Sequence, residues 1–149
     1  MNKNYAEIAM EKYHTAKNGA TCSFISIGDG RGLKLFHTKD VRDTAYEIQK
    51  DFLKYNLAPE LFEKFDLNEF DMGGIPIYGY VTEEIDAIDR PRTSIDFIYR
   101  NEMSEAVSKC IRKIKAFVGV VFEDDHFGNF GFKGGELIPL DFDPIFSYD

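Results

Sequence analysis

Residues Phe122–Asp143 read FEDDHFGNFGFKGGELIPLDFD. Two short apolar runs, NFGF and ELIPLDF, flank Lys133-Gly134-Gly135. The glycine pair tolerates the positive φ of a two-residue turn, so a β-hairpin is predicted. Asp124, Asp125, His126 and Asn129 stand before the first strand, and Asp141 ends the second. One short hairpin therefore returns Asp141 toward the loop that carries Asp124 and Asn129. Carboxylate and amide oxygens on turns and strand ends suit Mg²⁺, and a remaining carboxylate can orient a hydroxyl. Such a set is equipment for phosphoryl transfer.

The charge is concentrated in the same place. The net charge is -8, and the stretch from Phe122 to the C-terminus holds seven acids against one lysine, which supplies -6 of it. An acidic chain with no Lys/Arg cluster argues against binding a nucleic-acid backbone. With 149 residues, 44% hydrophobic and 15% aromatic, the expectation is a single compact domain with its own core. Cys22 and Cys110 are far apart and lack CxxC spacing, which points to reduced thiols rather than to zinc. MNKNYAEIAM has no apolar signal region, and no apolar run approaches the ~20 residues that span a bilayer. No membrane partner and a cytoplasmic setting, or delivery into a host cytosol, are expected.

Working outward, Tyr5, Ile8, Ala9, Lys12 and Tyr13 fall at helical spacing, and Asn18-Gly19 reads as the end of that helix. ATCSFISI and LKLF are strand-like runs joined by GDGRG, whose Asp-Gly pair suits a tight hairpin. Thr38 is a candidate N-cap, followed by the stripe Val41, Ala45, Ile48, Phe52 up to the breaker at Asn56–Pro59. From Leu61 to Glu84 the pattern is weak, with IPIYGYV as one strand after Met72-Gly73-Gly74. Ser104–Val118 is amphipathic, with Val107, Cys110, Ile111, Ile114, Phe117 and Val118 on one side. Lys109, Arg112, Lys113 and Lys115 lie off that side and read as a solvated face.

The order long helix, DDHFGN (Asp124–Asn129), hairpin and LDFD (Leu140–Asp143) resembles the catalytic centre of the protein-kinase-like superfamily. The histidine in the D-x-H-x-x-N loop is similar to that of the aminoglycoside and choline kinase branch. The resemblance implies an α+β fold: a small antiparallel N-lobe sheet with a helix (1–84) and a rudimentary C-lobe (85–149). It implies ATP and Mg²⁺ as cofactors, Asp124 orienting the acceptor hydroxyl, and Asn129 and Asp141 as magnesium ligands. GLKLF resembles the strand bearing the phosphate-binding lysine, here Lys34, with Glu47 in the next helix as its ion-pair partner. Gly19 would be a remnant of the glycine-rich loop, and IPIYGYV with the following TEE the adenine-contacting connector. Each also has a plainer reading: Lys34 as an exposed strand lysine, Glu47 as a helix-surface acid, Gly19 as a helix C-cap, and His126 as a loop residue held by hydrogen bonds.

The chain also departs from the pattern. No GxGxxG precedes Lys34 at the usual interval, and Phe122 and Glu123 replace the usual His and Arg. Six residues follow Asp143, so the activation segment and peptide-binding helices are expected to be missing. Small bacterial effector kinases resemble the chain in such truncation, which implies dependence on a protein partner or activator. The expected activity is transfer of the ATP γ-phosphate to a protein hydroxyl. Two alternatives stand beside it: a pseudokinase-type regulatory module, and a metal-dependent hydrolase built on Asp124, Asp125, His126 and Asp141.

Overall fold

The computed structural model describes residues 4–18, 22–67, 76–88, 97–121, 127–142 and 147–148. The chain is mixed α+β and divides into two compact units, Met1–Glu47 with Glu60–Glu84, and Ile48–Pro59 with Ile85–Asp149.

Period-two alternation builds the first unit. Strands β1 (Lys17–Asn18), β2 (Ser23–Gly28), β3 (Arg31–Phe36), β4 (Leu61–Leu67) and β5 (Ile77–Glu83) form one antiparallel sheet in the order β1-β2-β3-β5-β4. Asp29 and Gly30, with φ of 55° and 71°, make the tight β2–β3 turn that the Asp-Gly pair predicts. Ile25, Leu33, Leu35, Ile77 and Val81 face one way and form a core with Ala9 of helix α1 (Tyr5–Lys12). Phe36 and Tyr80 face the other way and pack with Ala45 of helix α2 (Lys39–Leu53). Each face buries aliphatic and aromatic surface at about 25 cal/mol per Å², which holds one helix on each side.

Two local expectations in this unit change. Helix α1 stops at Lys12 and continues only as a 3₁₀ turn over Tyr13–Thr15. Asn18, expected at the helix end, instead pairs with Ser23 in the sheet and accepts a hydrogen bond from its Oγ at 2.8 Å. Strand pairing outcompetes a marginal last helical turn. Strand β4 is the second change, since a register shift between Leu61 and Lys64 interrupts its period of two. Leu61 and Phe62 therefore stand adjacent in a strand without alternating in sequence, and the pattern reads as weak.

Thr38 caps α2: its Oγ1 accepts the Val41 N–H at 3.3 Å, and its carbonyl accepts Arg42 N–H at 3.2 Å. Thr38→Ala should cost about 1 kcal/mol, read as a lower urea midpoint with an unchanged slope. An unchanged midpoint would show that the cap contributes nothing.

The second unit is built on helix α3 (Phe97–Val118), which starts earlier than Ser104. Met103, one turn before Val107, packs on the same core and carries the apolar stripe upstream. Strand β6 (Val120–Val121) pairs with β9 (Ser147–Tyr148), while β7 (Phe130–Lys133) and β8 (Glu136–Pro139) form the predicted hairpin. Gly134 and Gly135 have φ of 59° and 83°, as its two-residue turn requires. Phe52, Leu57, Val107, Cys110, Ile114, Val120, Phe130 and Phe142 are buried in one cluster. Lys133 Nζ donates to the Ala58 carbonyl at 3.0 Å, and Lys113 pairs with Glu136, tying the hairpin to its surroundings. No helix among the described residues is long and apolar enough to cross a membrane.

Candidate functional site

The hairpin of the second unit sets two of the candidate residues. Asn129 closes a 3₁₀ turn (Phe127–Asn129) immediately before β7. Beyond the last rung, Phe130 opposite Pro139, the Leu140 N–H donates to the Asn129 carbonyl at 2.7 Å. Asn129 and the residue preceding Asp141 are thus bonded across the open end of one hairpin, and both Asn129 and Asp141 are half-buried. The next residue, Phe142, is 2% exposed and meets Phe52 edge-on, with centroids 5.2 Å apart and planes at 85°. A buried aromatic anchor on one side and a backbone hydrogen bond on the other fix the chain around Asp141. Asp124, Asp125 and His126 lie outside the described residues, as do Phe122, Glu123 and Asp143. Among the described residues no group of three His, Cys, Asp or Glu side chains gathers to hold a metal.

In the first unit, Lys34 sits in the middle of β3, opposite Phe24 on β2 and Tyr80 on β5. Directly opposed residues project to one face, so Lys34 shares its side of the sheet with both aromatics. It is 6% exposed, and its Nζ stands 5.9 Å from the Tyr80 ring centroid. Burying the stem on an aromatic face while keeping the ammonium over a π-system is the favourable way to hold a lysine in a sheet. Lys34 is therefore not an ordinary exposed strand lysine. Glu47 is exposed, and among the described residues no ion pair joins it to Lys34. At ~100° per residue it points away from the stripe through Ala45, Ile48 and Phe52. Among its polar side chains α2 instead buries Arg42 and Gln49, and the Gln49 Nε2 donates to the Pro59 carbonyl at 3.0 Å. Gly19 lies outside the described residues.

One buried charge escaped the sequence reading. Arg42 is 2% exposed, and its Nη1 donates to the carbonyls of Phe65 and Gly79, both at 3.0 Å. It also pairs with Asp66 at 2.9 Å and, through Nε, with Asp43 at 2.7 Å; Lys64 meets Asp43 at 3.2 Å. This network bolts α2 onto β4 and β5. Burial pushes the Asp43 carboxyl up, but hydrogen bonds and charge from Arg42 and Lys64 outweigh it and hold the group below its ordinary value. A depressed carboxylate gives its full stabilisation above the ordinary aspartate range and loses it as acid titrates the folded protein. The burial of Arg42 left no signal because its two carbonyl acceptors are 23 and 37 residues away.

Cys22 and Cys110 are not joined in a disulfide. Burial is the main force raising the Cys110 thiol to about 12, with Lys113 opposing it, so the thiolate that would act as a nucleophile does not form at neutral pH. Compared with known proteins, the chain matches no family model and no curated sequence.

Proposed function

We propose that the protein is a minimal kinase-like phosphotransferase, which moves the ATP γ-phosphate to a protein hydroxyl and depends on a partner protein to do so. The observation that carries this reading is the hairpin mouth, where the Leu140–Asn129 bond sets an amide residue against the strand end that leads into Asp141. Asn129 and Asp141 offer the hard oxygen donors that Mg²⁺ takes together with nucleotide phosphates, so the donor chemistry fits. In this proposal Asp124 orients the acceptor hydroxyl and Mg²⁺ neutralises charge on the phosphates when bound. Lys34 holds the phosphates as a point charge from the third strand, the strand that carries the corresponding lysine in protein kinases. A helix follows that strand, and Glu47 on it is the ion-pair partner of Lys34 in the partner-bound state.

The pseudokinase-type module is the second reading, favoured by the exposure of Glu47 on α2. Thermal denaturation with ATP, with and without Mg²⁺, separates them. A ligand that binds only the folded chain at about 100 times its dissociation constant adds about 2.7 kcal/mol. For a chain of this size that raises Tm by roughly 5–10 °C. No shift at millimolar Mg·ATP would overturn the phosphotransferase reading, and a metal shift without nucleotide would point to the hydrolase.

A further inference from the structure

The ends of two helices in the second unit meet at the surface. Helix α2 closes on Asn56, which takes the left-handed conformation with φ of 58°. The Leu57 N–H donates to the Phe52 carbonyl and the Asn56 N–H to the Leu53 carbonyl, both at 3.0 Å, the paired bonds of a Schellman stop with Tyr55 as its C-cap. Helix α3 also closes on a left-handed residue, Gly119 with φ of 81°, whose N–H reaches the Ile114 and Lys115 carbonyls at 3.2 and 3.1 Å. Tyr55 and Phe117 thus stand on fixed backbone, and their rings stack with centroids 5.8 Å apart and planes at 24°. The pair lies outside the core. Tyr55 is 48% exposed and Phe117 57%, the most of any large apolar side chain among the described residues. The sequence places Phe117 on the apolar side of α3 with Val107, Cys110 and Ile114, yet those three are buried and it is not. Two adjoining exposed rings on preset backbone suit a protein contact, because aromatic anchors carry most interface energy and a rigid support lowers the ordering cost.

The second observation is the charge beside the rings. Between Ala106 and Val118 stand four basic residues and no acidic one, in a chain whose net charge is -8. A favourable interaction with the helix dipole reaches only the last turn, so it accounts for Lys115 but not for Lys109, Arg112 and Lys113. Lys109, Lys113 and Phe117 follow one another at intervals of four and form one row along α3. At 1.5 Å per residue, Lys113 stands about 6 Å and Lys109 about 12 Å along the axis from Phe117, which ~2 and ~4 residues of extended chain span. Lys109 is exposed, and Lys113 also pairs with Glu136 of β8.

We propose that the Tyr55–Phe117 pair and this basic row are the docking surface for the partner protein, which presents an extended segment with one aromatic or large aliphatic side chain and acids about two and four positions from it. The apolar side chain covers the ring pair, and the acids meet Lys113 and Lys109. The proposal rests on the phosphotransferase reading for the role of the partner and adds the chemistry by which the partner is recognised. Because the chain as a whole is negative, an acidic segment is repelled elsewhere and drawn to this row, which orients its approach.

Phage selection of random dodecapeptides on the wild-type chain, without nucleotide, tests this. The enriched peptides should carry an apolar residue with acids at those spacings. Fluorescence anisotropy then compares one enriched peptide on the wild type, Tyr55→Ser, Phe117→Ser and Lys109→Glu, each shown by thermal melting to be folded. Truncating either ring should weaken binding by about 10-fold or more, the scale of an interface anchor. Lys109→Glu leaves the rings in place and should both weaken binding and flatten its dependence on salt. If Phe117→Ser does not fold, Tyr55→Ser carries the test, since Tyr55 lies beyond the last residue of α2. No enrichment, enrichment of basic peptides, or undiminished binding by the ring variants overturns the docking surface. So does a wild-type dimer that Tyr55→Ser makes monomeric, or binding to phosphatidylserine vesicles that the same variant loses, since a second copy or a membrane would then cover the rings. The Mg·ATP melt decides the phosphotransferase reading by itself: with no shift there and the peptide bound, the docking surface stands and its partner is not an activator of transfer.

Discussion

Asp124→Asn should lower phosphate transfer by about 10²–10⁴-fold while leaving ATP affinity nearly unchanged. The proposed role of Asp124 is to orient the hydroxyl that attacks the γ-phosphate, and an amide of the same size cannot accept that proton. Nucleotide affinity does not depend on that step. Asp141→Asn should behave differently, because it removes a negative charge from the proposed magnesium site and so weakens magnesium-dependent ATP binding as well as transfer. Calorimetric ATP affinity and single-turnover ADP release, measured on both variants, check the pair. Equal affinity losses in the two, or full transfer by Asp124→Asn, would overturn the assignment of roles. A hydrolase built on the same acids predicts loss of metal affinity by Asp124→Asn in the absence of nucleotide.

Phe142→Ala should destabilise the protein by about 3–5 kcal/mol, the range for removing a large aromatic side chain from a packed core. Phe142 is 2% exposed and meets Phe52 edge-on inside the cluster that also holds Val107, Ile114 and Phe130. Truncation empties the space beside α2 and α3 and loses the aromatic pair, which adds about 0.5–1.5 kcal/mol beyond area burial. Phe142→Leu keeps most of the volume and should cost far less. Urea unfolding at constant slope measures both. A cost below about 1 kcal/mol for the alanine variant would mean that the site collapses around the gap and that Phe142 does not anchor the strand end. Because Asp141 immediately precedes this anchor, the leucine variant should retain Mg·ATP binding. Loss of binding in a stable Phe142→Leu chain would show that the shape of the aromatic ring, beyond its volume, positions Asp141.

Two kinds of information divide between sequence and structure. Asp29-Gly30 and Gly134-Gly135 were legible as turns because positive φ is a property of single residues, and a two-residue hairpin needs little else. The stripe Val41, Ala45, Ile48, Phe52 was legible as α2 for the same local reason, since burial of one helix face repeats every three to four residues. The hairpin that sets Asn129 against the start of Leu140–Asp141 followed from those rules, so this part of the candidate site was readable. The rest depends on contacts between residues far apart in the chain. Strand β4 was obscured by its own register shift, and only pairing with β5 restores it. The sequence singled out Glu47 as the acid of α2, but the direction in which the helix packs leaves it exposed and buries Gln49. Arg42, its two carbonyl acceptors and Asp66 meet only after α2, β4 and β5 have come together. The stacking of Tyr55 on Phe117 likewise needs the ends of α2 and α3 to meet, because a contact between two helices leaves no periodic trace along either. Local backbone preference and periodicity are written in short windows of sequence, whereas the partners of buried charges and rings are chosen by tertiary packing.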